Sequence, residues 1–475
     1  MARQFTAPGG DILTLDASQD EAVTCCLAAL TELSTEATLA GAAGTGKSTV
    51  MAVLLSEWAG NVFFLAPTGA AANRLSGTTG RSVKTIHSAV FKTVEEKEDD
   101  GRRASLLFGE PETPKGVGPR TLVVVDEASM VNERLANVLR SVCFAVGARI
   151  LWVGDHEQFD PVEGTWGARL DNPTARLTEV HRQALESPVL KLATFIRTGR
   201  GMQFTDWGDE VQRVNPATIE QAVEWAEDGR AAEALLAFAG PGEKAPTRVL
   251  LTWTNKVRTR ANRLTRQARE YPRDEVVQGE TLLCTFNNHA LGKMNGELLE
   301  VTEVEDCPEL TKLLGVKVQW ITETAQAREV KYLVIPSAFD AFHPRKSDRQ
   351  VYRDAWKPLW AKNKPEPNRD GTLPESSYQL IHRMGWDWRK LCKWRDAVKA
   401  HSLQATWGYC LTAHKSQGSQ WDEVGFISCP GFRSYDDKDF KRRLTYVVVT
   451  RAAERFTAFM LTVVPNYNHK NPYGD

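Results

Sequence analysis

Hydrolysis of a phosphoanhydride needs backbone amides that crowd around phosphates, a cation that draws off charge, and a carboxylate that activates water. Residues of those types recur in this chain at suitable spacing. Gly41-Ala42-Ala43-Gly44-Thr45-Gly46-Lys47-Ser48 satisfies G-x-x-x-x-G-K-[ST]. Within it Gly44, Thr45, Gly46 and the following Thr49 would cradle phosphate, and Lys47 would reach the β- and γ-phosphates. Ser48 would ligate Mg²⁺ through its hydroxyl. The apolar run from Thr121 ends in Asp126-Glu127, where Asp126 would share the Mg²⁺ and Glu127 would orient and deprotonate water. A second apolar run, 148–153, leads to Gly154-Asp155-His156-Glu157-Gln158, with Gln158 able to sense a γ-phosphate by hydrogen bonding. These groups predict a nucleoside triphosphatase using ATP and Mg²⁺.

Such groups work only at the right ends of the right elements. The order apolar run, glycine loop, helix-forming Thr49 to Leu55 is the context a phosphate loop needs. Residues 61–66, 121–125 and 148–153 read as buried strands of a parallel sheet, whose C-terminal ends line a ligand crevice. Asp16 or Ser18 reads as a helix N-cap. Gln19 just beyond either reads an adenine edge with its amide or faces solvent. Pro67, Thr68, Thr85 and His87 follow further strand ends, while Ser88 reads as a helix cap. Residues 251–266 carry five basic side chains (Lys256, Arg258, Arg260, Arg263, Arg266) and no acid, a stripe suited to a phosphate backbone or a solvated helix face. Residues 92–118 read as an excursion with an apolar tip, Leu106-Leu107-Phe108. From about 277 to 400 alternating segments predict a small antiparallel module. Residues 341–395 then hold thirteen Lys/Arg against six Asp/Glu, with Trp356, Trp360, Trp386, Trp388 and Trp394 as stacking platforms or, more ordinarily, a small core.

At 475 residues the chain exceeds one core, and roughly three domains are expected. The net charge of −1 excludes a protein coated in positive charge but permits a locally basic groove. Eight cysteines with no C-x-x-C pair suggest neither zinc nor a disulfide framework, which fits the reducing cytoplasm. No signal pattern or membrane-length apolar run is present, so no membrane partner is expected.

The segments APTGAAA, TIHS, DEAS, GDHEQFDPV, LTEVHRQ, TNK, AHKSQGS and YVVVTRA, in this order, make the chain resemble superfamily 1 helicases of the 1B branch, RecD-like and phage Dda-like. The likeness runs from about Gln19 to Arg455. It implies an α/β fold with two RecA-like P-loop domains built on parallel sheets, each carrying an insertion. Residues 1–175 would form the first domain, with a β-hairpin pin at 92–118. Residues 176–276 and 403–475 would form the second. Residues 277–402 would be a small β-barrel with a tower or hook at 340–400. The resemblance further implies that Gln19 reads adenine and that Arg182 and Arg451 are arginine fingers. Pro67, Thr68, Thr85, His87, Asn255, Lys256, His414 and Lys415 would hold single-stranded DNA, and Phe108 would sit near the pin tip. The implied activity is 5′→3′ translocation on single-stranded DNA and unwinding of duplex. The implied setting is the cytoplasm of a bacterial or phage-infected cell, with the monomer acting at single-strand/duplex junctions beside a single-strand-binding or replication protein. A DNA-stimulated ATPase acting as a switch or loader is the reading from another class. A superfamily 1A motor of 3′→5′ polarity is disfavoured by HKSQG and the small module. A relaxase is disfavoured by the lack of an H-x-H metal cluster. One departure is Phe159-Asp160 in the third motif, where Leu-Pro or similar is usual.

Overall fold

The computed structural model describes residues 3–6, 12–94, 107–161, 164–180, 186–199, 209–236, 247–286, 288, 291, 293, 295–325, 328–339, 355–356 and 388–461. Two compact units emerge. One comprises Met1–Lys92, Phe108–Trp253 and Leu411–Asp475; the other comprises Thr93–Leu107 and Thr254–Cys410.

The first unit holds two sheets. In the first sheet the elements run α1 (Ala17–Ala28), β1 (Glu36–Gly41), α2 (Lys47–Glu57), β2 (Val62–Ala66), α3 (Gly69–Thr79), β3 (Val83–Thr85), α4 (Ile86–Val90), β4 (Leu122–Val125), α5 (Glu133–Phe144), β5 (Arg149–Gly154) and β6 (Ala175–Leu177). The six strands lie in the order β6-β1-β5-β4-β2-β3, and all are parallel. Alternation explains why β4 and β5 are apolar throughout: successive side chains face opposite sides, and both sides are covered. Leu122, Val124, Leu151 and Val153 pack in one cluster with Val23 of α1 and Leu54 of α2. Val123, Val125, Ile150 and Trp152 pack in another with Ile86 of α4 and Leu139 of α5. Each such fully buried aliphatic side chain contributes about 1.5–3 kcal/mol. The helices start where a short polar side chain accepts an otherwise orphaned amide: Asp16 from Gln19, Thr68 from Ala71, Thr85 from Ser88 and Asn132 from Leu135.

The second sheet is built from β7 (Val211–Ala217), β8 (Arg248–Thr252), β15 (Cys410–Thr412), β16 (Trp421–Ser428) and β17 (Ala452–Leu461), in the order β7-β17-β16-β8-β15. β7 with β17, β17 with β16, and β16 with β8 pair in parallel. With it belong α6 (Pro188–Arg197), α7 (Ile219–Leu236) and α10 (Lys438–Val449). Two parallel α/β sheets thus match the expected pair of RecA-like cores.

The second unit opens with α8 (Asn255–Ala268) and carries two three-stranded antiparallel sheets. One is β10-β9-β14 (Leu298–Glu300, Thr281–Cys284, Ala405–Trp407); the other is β11-β12-β13 (Glu303–Asp306, Gln319–Ala325, Arg328–Val334). This is the antiparallel module the alternation predicted. A helix, α9 (Trp388–His401), precedes β14. Trp356 is buried in a small core and Trp394 packs against it, the ordinary fate of such residues. Trp360 and Trp386 lie outside the described residues. A two-stranded sheet joins Phe91–Val94 to Leu107–Pro111. Phe108 therefore belongs to the returning strand rather than to the turn, and residues 95–106 lie outside the described residues.

Candidate active site

The phosphate loop bridges β1 and α2 as the motif requires. Gly44 and Gly46 take φ of 78° and 82°, left-handed values that favour glycine. Gly41 is held to glycine by space, since a Cβ there would lie 2.5 Å from Thr45 Oγ1. Thr45 Oγ1 donates to Ala42 O at 2.9 Å, and Lys47 Nζ donates to the carbonyls of Gly41 (2.8 Å) and Ala42 (2.9 Å). Ser48 and Thr49 lie in the first turn of α2, with their amides at the positive end of the helix.

Asp126 and Glu127 follow β4 directly. Glu127 adopts φ of 51°, a left-handed conformation that costs a non-glycine residue on the order of 1–3 kcal/mol and is typical of functional sites. Burial alone would raise the Glu127 pKa. The charges of Arg74, Arg451 and Lys47 and a hydrogen bond from Gln158 outweigh burial and hold it below the usual carboxylate value. Asp126 moves the other way, pushed up to about 6 by burial and then by the charge of Glu127. Ser48 and Asp126 offer hard oxygen donors beside this paired negative charge, a set that suits Mg²⁺ completed by phosphate oxygens and water. Among the described residues no group of three or more His, Cys, Asp or Glu could hold a metal ion.

Gln158 follows β5, 6 % exposed, with its Oε1 buried and without a partner among the described residues. Its hydrogen bond to Glu127 leaves that acceptor beside the general-base candidate. Arg451, 4 % exposed, comes from the turn between α10 and β17 of the second sheet. Its guanidinium donates to Val447 O, Ser419 O and Thr450 Oγ1. Burial lowers its pKa, and Glu127 is the first of the charges opposing that shift. Both sheets therefore contribute charge to one carboxylate.

Other expected site residues fare differently. Gln19 is not solvent-facing: it is buried and closes a capping box, its Oε1 accepting from Asp16 N–H. Thr68 and Thr85 serve as helix caps at strand ends, with Pro67 just before Thr68. Ser88 does not cap; its amide is the donor that Thr85 caps. His87 stacks on Phe91 at 5.9 Å. His414 and Lys415 lie in a short turn, Ala413–Ser416, after β15. The His414 ring stacks on Phe159 at 4.3 Å and 9°, and burial followed by the charge of Lys415 lowers its pKa. Asn255 and Lys256 open α8 behind the N-cap Thr254. The basic stripe on that helix is not one face. Arg258 and Arg266 are buried, the latter paired with Glu280 and lying 3.7 Å from the Trp407 ring centroid. Arg182 lies outside the described residues.

Two residues at the site were given no role from the sequence, although Tyr446 opens the YVVVTRA segment. Arg74 of α3 reaches Glu127 Oε1 at 3.2 Å and Asp126 Oδ2 at 3.9 Å. The Tyr446 hydroxyl of α10 accepts from Ala43 N–H in the phosphate loop at 2.8 Å and donates to Asp155 Oδ2 at 2.7 Å.

Comparison with known proteins bears on both sheets. Residues 14–218 match a family described as an AAA domain, and residues 408–457 one described as a UvrD-like helicase C-terminal domain. The ATP-dependent DNA helicase dda of Enterobacteria phage T4 is 25% identical over 480 residues, covering 92% of this chain and 97% of its own. These matches make the chain similar to superfamily 1B helicases. The ATP-dependent RecD2 DNA helicase of Deinococcus radiodurans is 36% identical over 190 residues, covering 38% of this chain. The chain spans only 24% of that relative's length. Among solved structures, Bacteroides Pif1 in complex with ADP-AlF3 and ssDNA aligns over 95% of this chain and 96% of its own, with 15% identity and a TM-score of 0.46. Among the described residues no helix is long and apolar enough to cross a membrane.

Proposed function

We propose that the protein is an ATP-dependent helicase that moves 5′→3′ on single-stranded DNA and opens duplex ahead of it. The observation that carries this reading is that Lys47, Asp126 and Gln158 from one sheet and Arg451 from the other gather around the buried Glu127 carboxylate. Phosphate-loop amides and Lys47 bind the triphosphate, with Gln19 near the base. Ser48 and Asp126 would hold Mg²⁺, which when bound would neutralise phosphate charge. Glu127, kept ionised by its neighbours, accepts a proton from the attacking water, and the free Gln158 oxygen accepts that water's second hydrogen. Arg451, joined by Arg182, stabilises charge developing on the γ-phosphate. Because donors from both sheets are needed, triphosphate favours their approach and hydrolysis releases them.

Pro67, Thr68, Thr85, His87, Asn255, Lys256, His414 and Lys415 contribute to single-strand binding, and the hairpin bearing Phe108 separates strands. The domain division proposed is 1–175, 176–276 with 403–475, and 277–402. The protein works as a monomer at junctions, beside a single-strand-binding or replication protein in the cytoplasm.

Two partial duplexes test the reading, one with a 5′ tail and one with a 3′ tail, with ATPase followed in parallel. Unwinding of the 5′-tailed substrate alone is expected. Unwinding of the 3′-tailed substrate alone would overturn the polarity. DNA-stimulated ATPase with neither opened would favour the switch or loader.

A further inference from the structure

The stretch Asp155–Asp160, which carries Gln158, is gripped by α10 of the second sheet at almost every residue. Asp155 receives the Tyr446 hydroxyl at 2.7 Å, and Glu157 is ion-paired with Arg442. The carbonyls of His156 and Gln158 accept from Arg443 Nη1 at 3.3 and 3.0 Å, and the Asp160 carboxylate accepts from the same nitrogen at 3.2 Å. Phe159 stacks on Phe440 at 6.0 Å as well as on His414. Residues 439, 442, 443 and 446 share one helix face by their spacing. The Asp439 carboxylate takes Arg442 at Oδ1 (2.8 Å) and Arg443 at Oδ2 (2.8 Å), so both guanidiniums are aimed from within α10. The Arg443 guanidinium also lies 5.3 Å from the Trp166 ring centroid.

The geometry points to Arg443, oriented by Asp439 and assisted by Arg442, as a positioning residue that sets the Gln158 turn and makes hydrolysis conditional on engagement of the two sheets. This rests on the reading of Gln158 as part of the hydrolytic centre. Arg443 bonds the carbonyls of His156 and Gln158, so its loss frees the backbone that aims the Gln158 amide. A lysine keeps the charge but presents it as a point rather than a planar fork, and cannot reproduce that set of acceptors.

The test is a double-mutant cycle between Arg443→Ala and Gln158→Ala. Single-turnover hydrolysis and nucleotide affinity are measured separately, and melting temperature checks folding. Arg443→Ala should lower the hydrolysis rate by about 10- to 100-fold with affinity unchanged, the range expected for misplacing a catalytic group by about 1 Å. In the Gln158→Ala background it should add almost nothing, because residues acting as a unit are non-additive. Arg443→Lys, whose fold is less at risk, should show the same pattern with a smaller loss. Equal losses in both backgrounds, or a loss in affinity alone, would overturn the proposal while leaving the hydrolytic centre standing. Full activity in Gln158→Ala alone would overturn the proposal together with the reading beneath it.

Discussion

Tyr446→Phe isolates the join between the two sheets with a single oxygen atom. Tyr446 is 1 % exposed, and its hydroxyl is engaged at once by Ala43 N–H and Asp155 Oδ2. Phenylalanine keeps the ring and leaves no cavity, so the cost is the two hydrogen bonds. A neutral one contributes about 1 kcal/mol and one to a carboxylate about 1.5–3, giving about 2.5–4 kcal/mol in sum. Asp155 is 1 % exposed and its other oxygen already accepts from Glu157 N–H, so no water readily replaces the lost donor. At about 2–4 °C per kcal/mol for a core of 150–250 residues, the melting midpoint should fall by roughly 5–15 °C. Differential scanning calorimetry reads the shift. Tyr435→Phe serves as control, since Tyr435 is 42% exposed and the same chemical change there should leave the midpoint in place. A Tyr446→Phe midpoint within about 1 °C of the parent would mean that the hydroxyl is hydrated and that the sheets are not joined at this point.

Three further outcomes are expected. Lys47→Ala should abolish ATP hydrolysis while leaving the circular dichroism spectrum intact, and retained turnover would overturn the site. Glu157 is a depressed carboxylate, held down to about 2 from 4.5 against burial by hydrogen bonds from His156 and Arg442. Its stabilisation, on the order of 3 kcal/mol, is present above about pH 4.5 and lost as pH falls through about 2. The stability gap between parent and Glu157→Gln should therefore close towards pH 2, and a gap constant with pH would contradict the pairing. Arg266→Ala strands the fully buried Glu280 and should cost the second unit about 3–5 kcal/mol in urea unfolding. The apolar pair Arg266→Met with Glu280→Leu removes the unpaired charge but also the partners of the Tyr409 hydroxyl and of the Arg273 and Glu275 carbonyls, so it should recover only part of that loss, and no recovery would mean that those hydrogen bonds or packing, not the stranded charge, set the cost.

Where a signal was local, the sequence carried it. The phosphate loop needs Gly44 and Gly46 at positive φ, a demand readable from residue type alone. The apolar strands 122–125 and 149–154 put Asp126 and Gln158 just past strand ends, as expected, because a parallel sheet covered on both faces leaves only its strand ends polar. Long-range partners were invisible. Arg74 meets Glu127 across 53 residues and Tyr446 meets Asp155 across 291, and nothing in either neighbourhood of sequence announces the pairing. The basic run on α8 misled for the opposite reason: charge was read without phase, and the helix turns Arg258 and Arg266 inward among Val257, Ala261 and Thr265. Gln19 is buried and its amide oxygen closes a capping box, a use that its residue type alone does not distinguish from facing solvent.

The proposed function requires one hydrolytic centre to be completed from two sheets. Single-turnover ATP hydrolysis by Arg451→Ala, with nucleotide affinity measured separately, tests it most directly. Affinity should stay within about threefold of the parent while hydrolysis slows by about 10²–10³, the loss typical of removing one charge-stabilising donor. Hydrolysis at the parental rate would contradict it and return the whole site to the first sheet.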